Sequence, residues 1–167
     1  MEYFPLVDEA GNVTGKATRT ECHSGTFLLH PVVHLFLLNS SGALYLQKRS
    51  ENKDVQPGKW DTSVGGHIEP DETVIDALHR ETSEELGIKH FKPVFIHKYK
   101  FTSDIESELV HSFYTIYDGA IKPDVIEIAE GKFWTSNDIE SNLGKGVFTP
   151  NFECEYLLLT QKKLLPL

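Results

Sequence analysis

Runs in which apolar and polar residues alternate, with β-branched or aromatic side chains on the apolar positions, fit half-buried strands. Residues 3–7 and 13–18 form two such runs around the turn-rich Glu9-Ala10-Gly11-Asn12 and predict an N-terminal strand pair over about residues 1–20. Residues 31–38 and 43–48 flank Asn39-Ser40-Ser41-Gly42 and predict a second hairpin. A polar loop over 50–59, containing Pro57-Gly58, leads to a short strand-like segment at 60–64 that Gly65-Gly66 ends. The next stretch, 72–86, reads as a helix with Gly87 as its stop. Residues 93–102 and 109–117 alternate like paired strands joined by an acidic loop, 103–108, and 130–135 reads as one more strand. Ser136 is placed as the N-cap of a helix over 137–143, and Asn151 as the N-cap of a helix from 152 to about 165. Strands before, between and after helices, without regular βαβ alternation, predict an α+β layered sandwich. No repeat, low-complexity tract or long linker interrupts the chain, so residues 1–167 are read as one domain.

Composition narrows the function classes. Hydrophobic residues make up 40 % and charged residues 25 %, ordinary for a globular domain. A net charge of -9 argues against a nucleic-acid partner, because phosphate neutralisation needs clustered Lys and Arg; an acidic surplus suits cation binding, and solubility alone would also account for it. The apolar stretches are too short to span a bilayer, so no membrane partner is expected. Residues 1–8 lack a basic stretch followed by an apolar core, and Cys22 and Cys154 stand alone without CxxC spacing. Both features lead us to expect a cytoplasmic protein with reduced thiols.

The helix at 72–86 carries the first candidate chemistry. At about 100° per residue, Ile75, Leu78, Thr82 and Leu86 form a stripe about 80° wide, with Glu81 and Glu85 at its edge and Glu84 just beyond. An exposed charged helix usually pairs Glu with Lys or Arg at i,i+4, whereas Glu81 and Glu85 repel each other at that spacing. A bound hard cation such as Mg²⁺ or Mn²⁺ would compensate; a plain acidic helix edge is the alternative.

These residues also carry a family resemblance. Gly66, five residues, Glu72, seven residues, then Arg80-Glu81-x-x-Glu84-Glu85-x-Gly87-Ile88 resembles the full signature of the Nudix superfamily over residues 66–88. Thr82 departs from it, standing where the family usually has an aliphatic residue. The resemblance implies an α/β/α sandwich with a mixed β-sheet and hydrolysis of a diphosphate linkage in a nucleoside diphosphate derivative or similar small molecule. It implies that Glu81, Glu84 and Glu85 bind Mg²⁺ or Mn²⁺, that Arg80 orients a carboxylate, and that a glutamate accepts a proton from the attacking water. Glu84, Glu85, Glu106 and Glu108 are all candidates for that base.

A second constellation lies outside the signature. His23, His30 and His67, with Glu106 and Glu108 alternating on a strand edge, could form a site for Mn²⁺, Mg²⁺ or Zn²⁺. With eight histidines in the chain, spacing alone fits hydrogen-bonded or surface histidines as well. The pattern His23-x6-His30, Pro57-Gly58-x-Trp60-x-x-Ser63-Val64-x-Gly66-His67 and Glu106-x-Glu108 resembles the Nudix-fold isopentenyl-diphosphate isomerases. In those enzymes the matching histidines and glutamates hold a metal, which implies a second metal here, Mn²⁺ or Zn²⁺. Gly65 stands where such isomerases carry a catalytic cysteine, and the signature is intact where theirs tends to be degraded, so the reading is an isomerase-like branch member with hydrolase machinery; isomerisation is the alternative.

Trp60, Phe101 and Phe133 could cover a ligand, though aromatic residues on short strands more often belong to the core. Lys48, Arg49, Lys53 and Lys59 could meet substrate phosphates or simply line a solvated loop. Edges near the N-terminus could pair with a second copy of the chain as a homodimer.

Overall fold

The computed structural model describes residues 1–53 and 55–167; Asp54, inside the expected polar loop, lies outside the described residues. The N-terminal strand pair is β1 (Tyr3–Val7) and β2 (Val13–Thr18), antiparallel and forming a sheet of their own. Directly after it comes a single helical turn the alternation gave no sign of, α1 (Arg19–Cys22). Thr18 and Glu21 close a capping box at its start, satisfying orphan amides reciprocally.

The main sheet contains β3 (Leu29–Leu38), β4 (Leu44–Arg49), β5 (Trp60–Asp61), β6 (Val64–His67), β7 (Val94–Thr102), β8 (Ser107–Ile116) and β9 (Ile128–Trp134). It is mixed: β3 runs parallel to β8 over its full length, while the other named pairs are antiparallel. The hairpin expected from 31–38 and 43–48 is corrected here, because β3 and β4 pair only at Leu38 and Leu44 and then diverge. Beyond that point β6 takes the edge of β3, and β9 and β5 flank β4, so the sheet splits along its length. The single strand expected at 60–64 becomes β5 and β6, and Gly65-Gly66 continues β6 opposite His34 and Val33 rather than ending it. Likewise β8 begins at Ser107, which moves Glu108 from the expected acidic loop into a strand.

Helix α2 (Val74–Leu86) covers one face. Val33, Leu35, Leu37, Tyr45, Val64, Ala77, Leu78, Leu86 and Phe113 belong to the core beneath it. Thr73 caps its first turn, two residues into the segment expected to be helical, and Gly87 ends it at φ 67, a left-handed conformation glycine adopts without strain. The other face carries α3 (Ser136–Asn142) and α4 (Pro150–Gln161), with Phe36, Leu38, Leu44 and Leu46 packed among Ile139, Phe152, Tyr156 and Leu159. Thr135 and Thr149 cap these helices through their hydroxyls, in place of the expected Ser136 and Asn151, and α4 stops at Gln161, short of 165. Each assigned cap lay just inside its helix; the threonine before it has the extended backbone a cap requires. The result is the α/β/α sandwich with a mixed sheet. No helix among the described residues is long and apolar enough to cross a membrane.

Candidate functional site

The orientation of α2 corrects one expectation about its acids. Ile75 is 44 % exposed, while Ala77, Leu78, Thr82 and Leu86 are buried. Substituting Ala77 for Ile75 turns the packed face by several tens of degrees, so Glu81 and Glu85 fall within it and not at its rim. Thr82 is fully buried and donates its hydroxyl to the Leu78 carbonyl at 2.6 Å, so the core accepts a polar residue there. Glu84 remains on the outside, with its side chain 60 % exposed.

Arg80 organises the acids. Its Nε and one terminal nitrogen donate to the two oxygens of Glu72 at 2.8 and 2.9 Å, a bidentate pair. The same nitrogen donates to the His67 carbonyl at 3.0 Å, and the other contacts Glu81 at 2.8 Å and Glu84 at 3.4 Å. Glu85 accepts from Gln47 Nε2 at 2.8 Å. Burial raises the Glu85 carboxyl to about 8, against the hydrogen bond from Gln47 and with help from the charges of Glu81 and Asp61. Burial also raises Glu81, against its contact with Arg80.

Strand β6 connects these acids to the histidines. The Gly65 amide lies near the Glu85 carboxylate and favours its charge. At Gly66 a side chain would overlap the Glu81 carboxyl group, so the bare Cα is what lets α2 bring that acid against the sheet. His67, the last residue of the strand, gives its carbonyl to Arg80 and turns its ring to the opposite face.

On that face the structure brings His23, His30, His67, Glu106 and Glu108 together. His23 ends α1, His30 and Glu108 are register partners on β3 and β8, and Glu106 closes the turn before β8. Ligand atoms of the three histidines lie within 4.8 Å of one another, as do those of His30, Glu106 and Glu108. His23 Nε2 is 3.2 Å from His67 Nε2 and 3.1 Å from Glu106 Oε2. His30 Nδ1 is 2.9 Å from the Leu28 carbonyl, a contact in which the ring donates, leaving Nε2 as a lone pair. That Nε2, and Glu108 Oε2, are buried without any hydrogen-bond partner. Burial lowers all three histidines, His23 to about 4, and raises Glu106 and Glu108, the latter to about 7. Neutral imidazoles converging on two carboxylates, with His30 Nε2 and Glu108 Oε2 unpartnered, are a donor set that a divalent cation fits and that hydrogen bonding among themselves leaves unsatisfied. The ring of Phe4 stacks on His67 at 4.1 Å between centroids, so the N-terminal strand pair backs the cluster.

The two groups of acids share a neighbourhood. Asp61, beside the split in the sheet, raises both Glu85 and Glu108 by its charge. Arg49 pairs with Asp61 at 3.5 Å, and its charge favours the ionised form of Glu106. Other candidates stand apart: Trp60 is buried edge-on against Trp134 in the core, Phe133 packs edge-on against Tyr45, and Lys53 pairs with Glu127. Cys22 is buried in the small core with Phe4 and Ala17, and Cys154 is exposed. The sequence reading passed over Gln47, His34 and Glu155. The signal for Glu155 was a charge on the apolar stripe of Phe152, Tyr156 and Leu159; for His34 it was one imidazole inside an apolar strand.

Comparison with known proteins agrees with this fold. The NUDIX domain family matches residues 28–152, and the chain belongs to that family. Its members act on small molecules with pyrophosphate-type linkages and generally use divalent metals. Isopentenyl-diphosphate Delta-isomerase 1 of Photorhabdus laumondii is 31 % identical over 169 residues, 96 % of each chain. The uncharacterized Nudix hydrolase lmo0368 of Listeria monocytogenes is 29 % identical over 164 residues, 91 % of this chain and 90 % of that one. The crystal structure of DR0079 from Deinococcus radiodurans superposes with a TM-score of 0.76 at 26 % identity, covering 89 % of this chain and 92 % of that one.

Proposed function

We propose that this chain hydrolyses a diphosphate linkage in a nucleoside diphosphate derivative or similar small molecule, using divalent metal ions. The observation that carries the reading is that Glu81 and Glu85, repelling each other at i,i+4, lie half-buried on the packed face of α2, where Arg80 meets Glu81 and, among the described residues, no cationic side chain pairs with Glu85. Glu81, Glu84 and Glu85 would hold Mg²⁺ or Mn²⁺. His23, His30, His67, Glu106 and Glu108 would hold a second metal, and imidazole nitrogens suit Mn²⁺ or Zn²⁺ better than Mg²⁺. Bound metal supplies neutralisation of diphosphate charge and a more acidic water. Arg80 keeps Glu72 and Glu81 oriented, and Gln47 orients Glu85. In the reaction a water oxygen bonds to one phosphorus as the bridging P–O bond breaks, the electron pair leaves with the departing oxygen, and a glutamate accepts the proton. Glu84, Glu85, Glu106 and Glu108 remain the candidates for that base.

The name of the Photorhabdus relative favours a second reading, isopentenyl-diphosphate isomerisation. It requires a proton-transferring group where this chain has Gly65, which supplies none. The test is a panel of nucleoside diphosphate derivatives and prenyl diphosphates assayed with Mg²⁺ and Mn²⁺, for the native chain and Glu85→Gln. Metal-dependent release of a phosphorylated product that Glu85→Gln lowers by about 10²-fold or more is expected. Full activity in a folded Glu85→Gln chain would overturn the assignment, and solvent deuterium entering the allylic position of isopentenyl diphosphate would replace it with isomerisation.

A further inference from the structure

Across the sheet at the level of Gly65, the register lines up Gly65, His34, Ser112 and His97 on β6, β3, β8 and β7. Glu155 of α4 reaches down onto this row with its side chain fully buried. One carboxylate oxygen meets His34 Nδ1 at 2.6 Å, the other accepts from the Ser112 hydroxyl, and the half-buried Tyr99 lies near the same group. Both oxygens are therefore engaged, one of them by the imidazole. His34 Nε2 has no hydrogen-bond partner among the described residues and, unlike His30 Nε2, is not sealed from solvent; the His34 side chain is 12 % exposed. It points towards the bare Cα of Gly65, where a Cβ would lie 3.7 Å from Nε2 and 3.4 Å from the neighbouring ring carbon. The backbone amide of that same glycine lies near the Glu85 carboxylate.

We propose that His34, gripped through Nδ1 by Glu155, presents its Nε2–H over the notch left by Gly65 as a binding group for a phosphoryl oxygen of the substrate. The inference rests on the diphosphate reading above and adds a subsite to it. A purely structural ion pair would hold α4 to the sheet with either nitrogen and would not need a glycine opposite the second one. Burial opposes the charge on His34, but the carboxylate of Glu155 outweighs it and raises the imidazole to about 9, so both ring nitrogens carry protons near neutral pH. The other nearby acids are otherwise engaged: Asp61 pairs with Arg49 and accepts from Thr62 and Thr149, and Glu108 belongs to the histidine cluster. A phosphoryl oxygen at Nε2 would sit beside the strand whose next residue, Gly66, lies against the Glu81 carboxyl group, which joins the subsite to the acids of α2.

Two variants separate binding from structure. His34→Asn keeps an amide N–H near the position of Nδ1, and so the contact with Glu155, but has no Nε2. Gly65→Ala adds a methyl group at ordinary contact distance from the ring, at a backbone conformation that tolerates it, and covers Nε2. Methylenediphosphonate, which cannot be hydrolysed, is titrated calorimetrically into the native chain and both variants with Mg²⁺ present, and the His34 ring nitrogens are followed by NMR. The native chain should bind the probe with a shift of the Nε2 resonance, and both variants should bind about 10-fold or more weakly; Gly65→Ala should unfold at nearly the native temperature, and His34→Asn, which removes the charge facing Glu155, at a lower one, with binding read below that transition. Affinities within twofold of native in both variants, or an Nε2 resonance that does not move at saturation, would overturn the proposal. Hydrolysis of a diphosphate with His34 unmoved would leave the functional reading standing and remove this one; probe binding at Nε2 without hydrolysis of any diphosphate would do the reverse.

Discussion

Gly66 shows how much of the site depends on a side chain that is not there. In Gly66→Ala the added methyl displaces only the flexible end of Glu81, so the sheet survives while the acid leaves its place. We expect a stability loss of about 1 kcal/mol or less and a fall in metal-dependent turnover of about 10-fold or more, measured by denaturant unfolding and by activity against Mg²⁺ concentration. His34 and Glu155 offer a second single-residue test, through pH. The folded imidazole titrates about 9, above its unfolded value of about 6.5, so its pairing contributes fully below pH 6.5 and is lost as pH rises through 9. The native chain should therefore lose roughly 3 kcal/mol more than Glu155→Gln between pH 6.5 and 9.5, read from urea unfolding at each pH. Equal losses would mean that the ion pair does not govern this range.

Helix α2 combines good termini with a poorly tolerated face. The Thr73 hydroxyl accepts from the Asp76 amide, Gly87 turns the chain out, and the amides of Lys122 and Asp124 take the carbonyls of Leu86 and Glu85. Thr73→Ala should cost about 1 kcal/mol without changing activity. Glu81 and Glu85 act against the same helix. Because burial raises Glu85 to about 8, the folded chain bears an increasing cost as pH climbs from about 4.5 through 8 and the carboxylate is forced to ionise. In the presence of a chelator, Glu85→Gln should therefore be more stable than the native chain by a few kcal/mol at pH 8 and by little at pH 5, while being inactive at both. A variant that gains stability as it loses activity marks an acid kept for function and not for folding.

At the scale of the whole molecule, parts far apart in the chain complete the candidate site. The histidine and glutamate cluster takes residues from α1, β3, β6, the turn before β8 and β8 itself, and the N-terminal strand pair supports it through Phe4, stacked 3° from parallel on His67. Phe4→Leu retains an apolar side chain but loses the flat surface that holds the ring. We expect the affinity for Co²⁺, followed by its visible absorption, to fall about 10-fold while the far-ultraviolet dichroism stays native. Unchanged Co²⁺ affinity would indicate that the cluster is held without the strand pair.

The local features were legible because they depend on neighbours in the chain. The two N-terminal strands, the Gly87 stop and the spacing of Arg80, Glu81, Glu84 and Glu85 follow from turn chemistry, helix period and a recognisable signature. Helix N-caps were misplaced by one or two residues, since threonine and its polar neighbours look alike until backbone angles distinguish them. The rotation of α2, which half-buries Glu85 and exposes Ile75, depended on the shape of the sheet beneath it. So did the splitting of β3 from β4 and the use of Gly65-Gly66 inside a strand: both turn on ten residues of parallel pairing with β8, a contact between segments more than seventy residues apart. By itself the sequence determined which side chains were available for metal and phosphate chemistry. Tertiary structure alone decided that His34 and Glu155 would meet and that two clusters of acids would share one split sheet, because long-range pairing brings together residues that no local period relates.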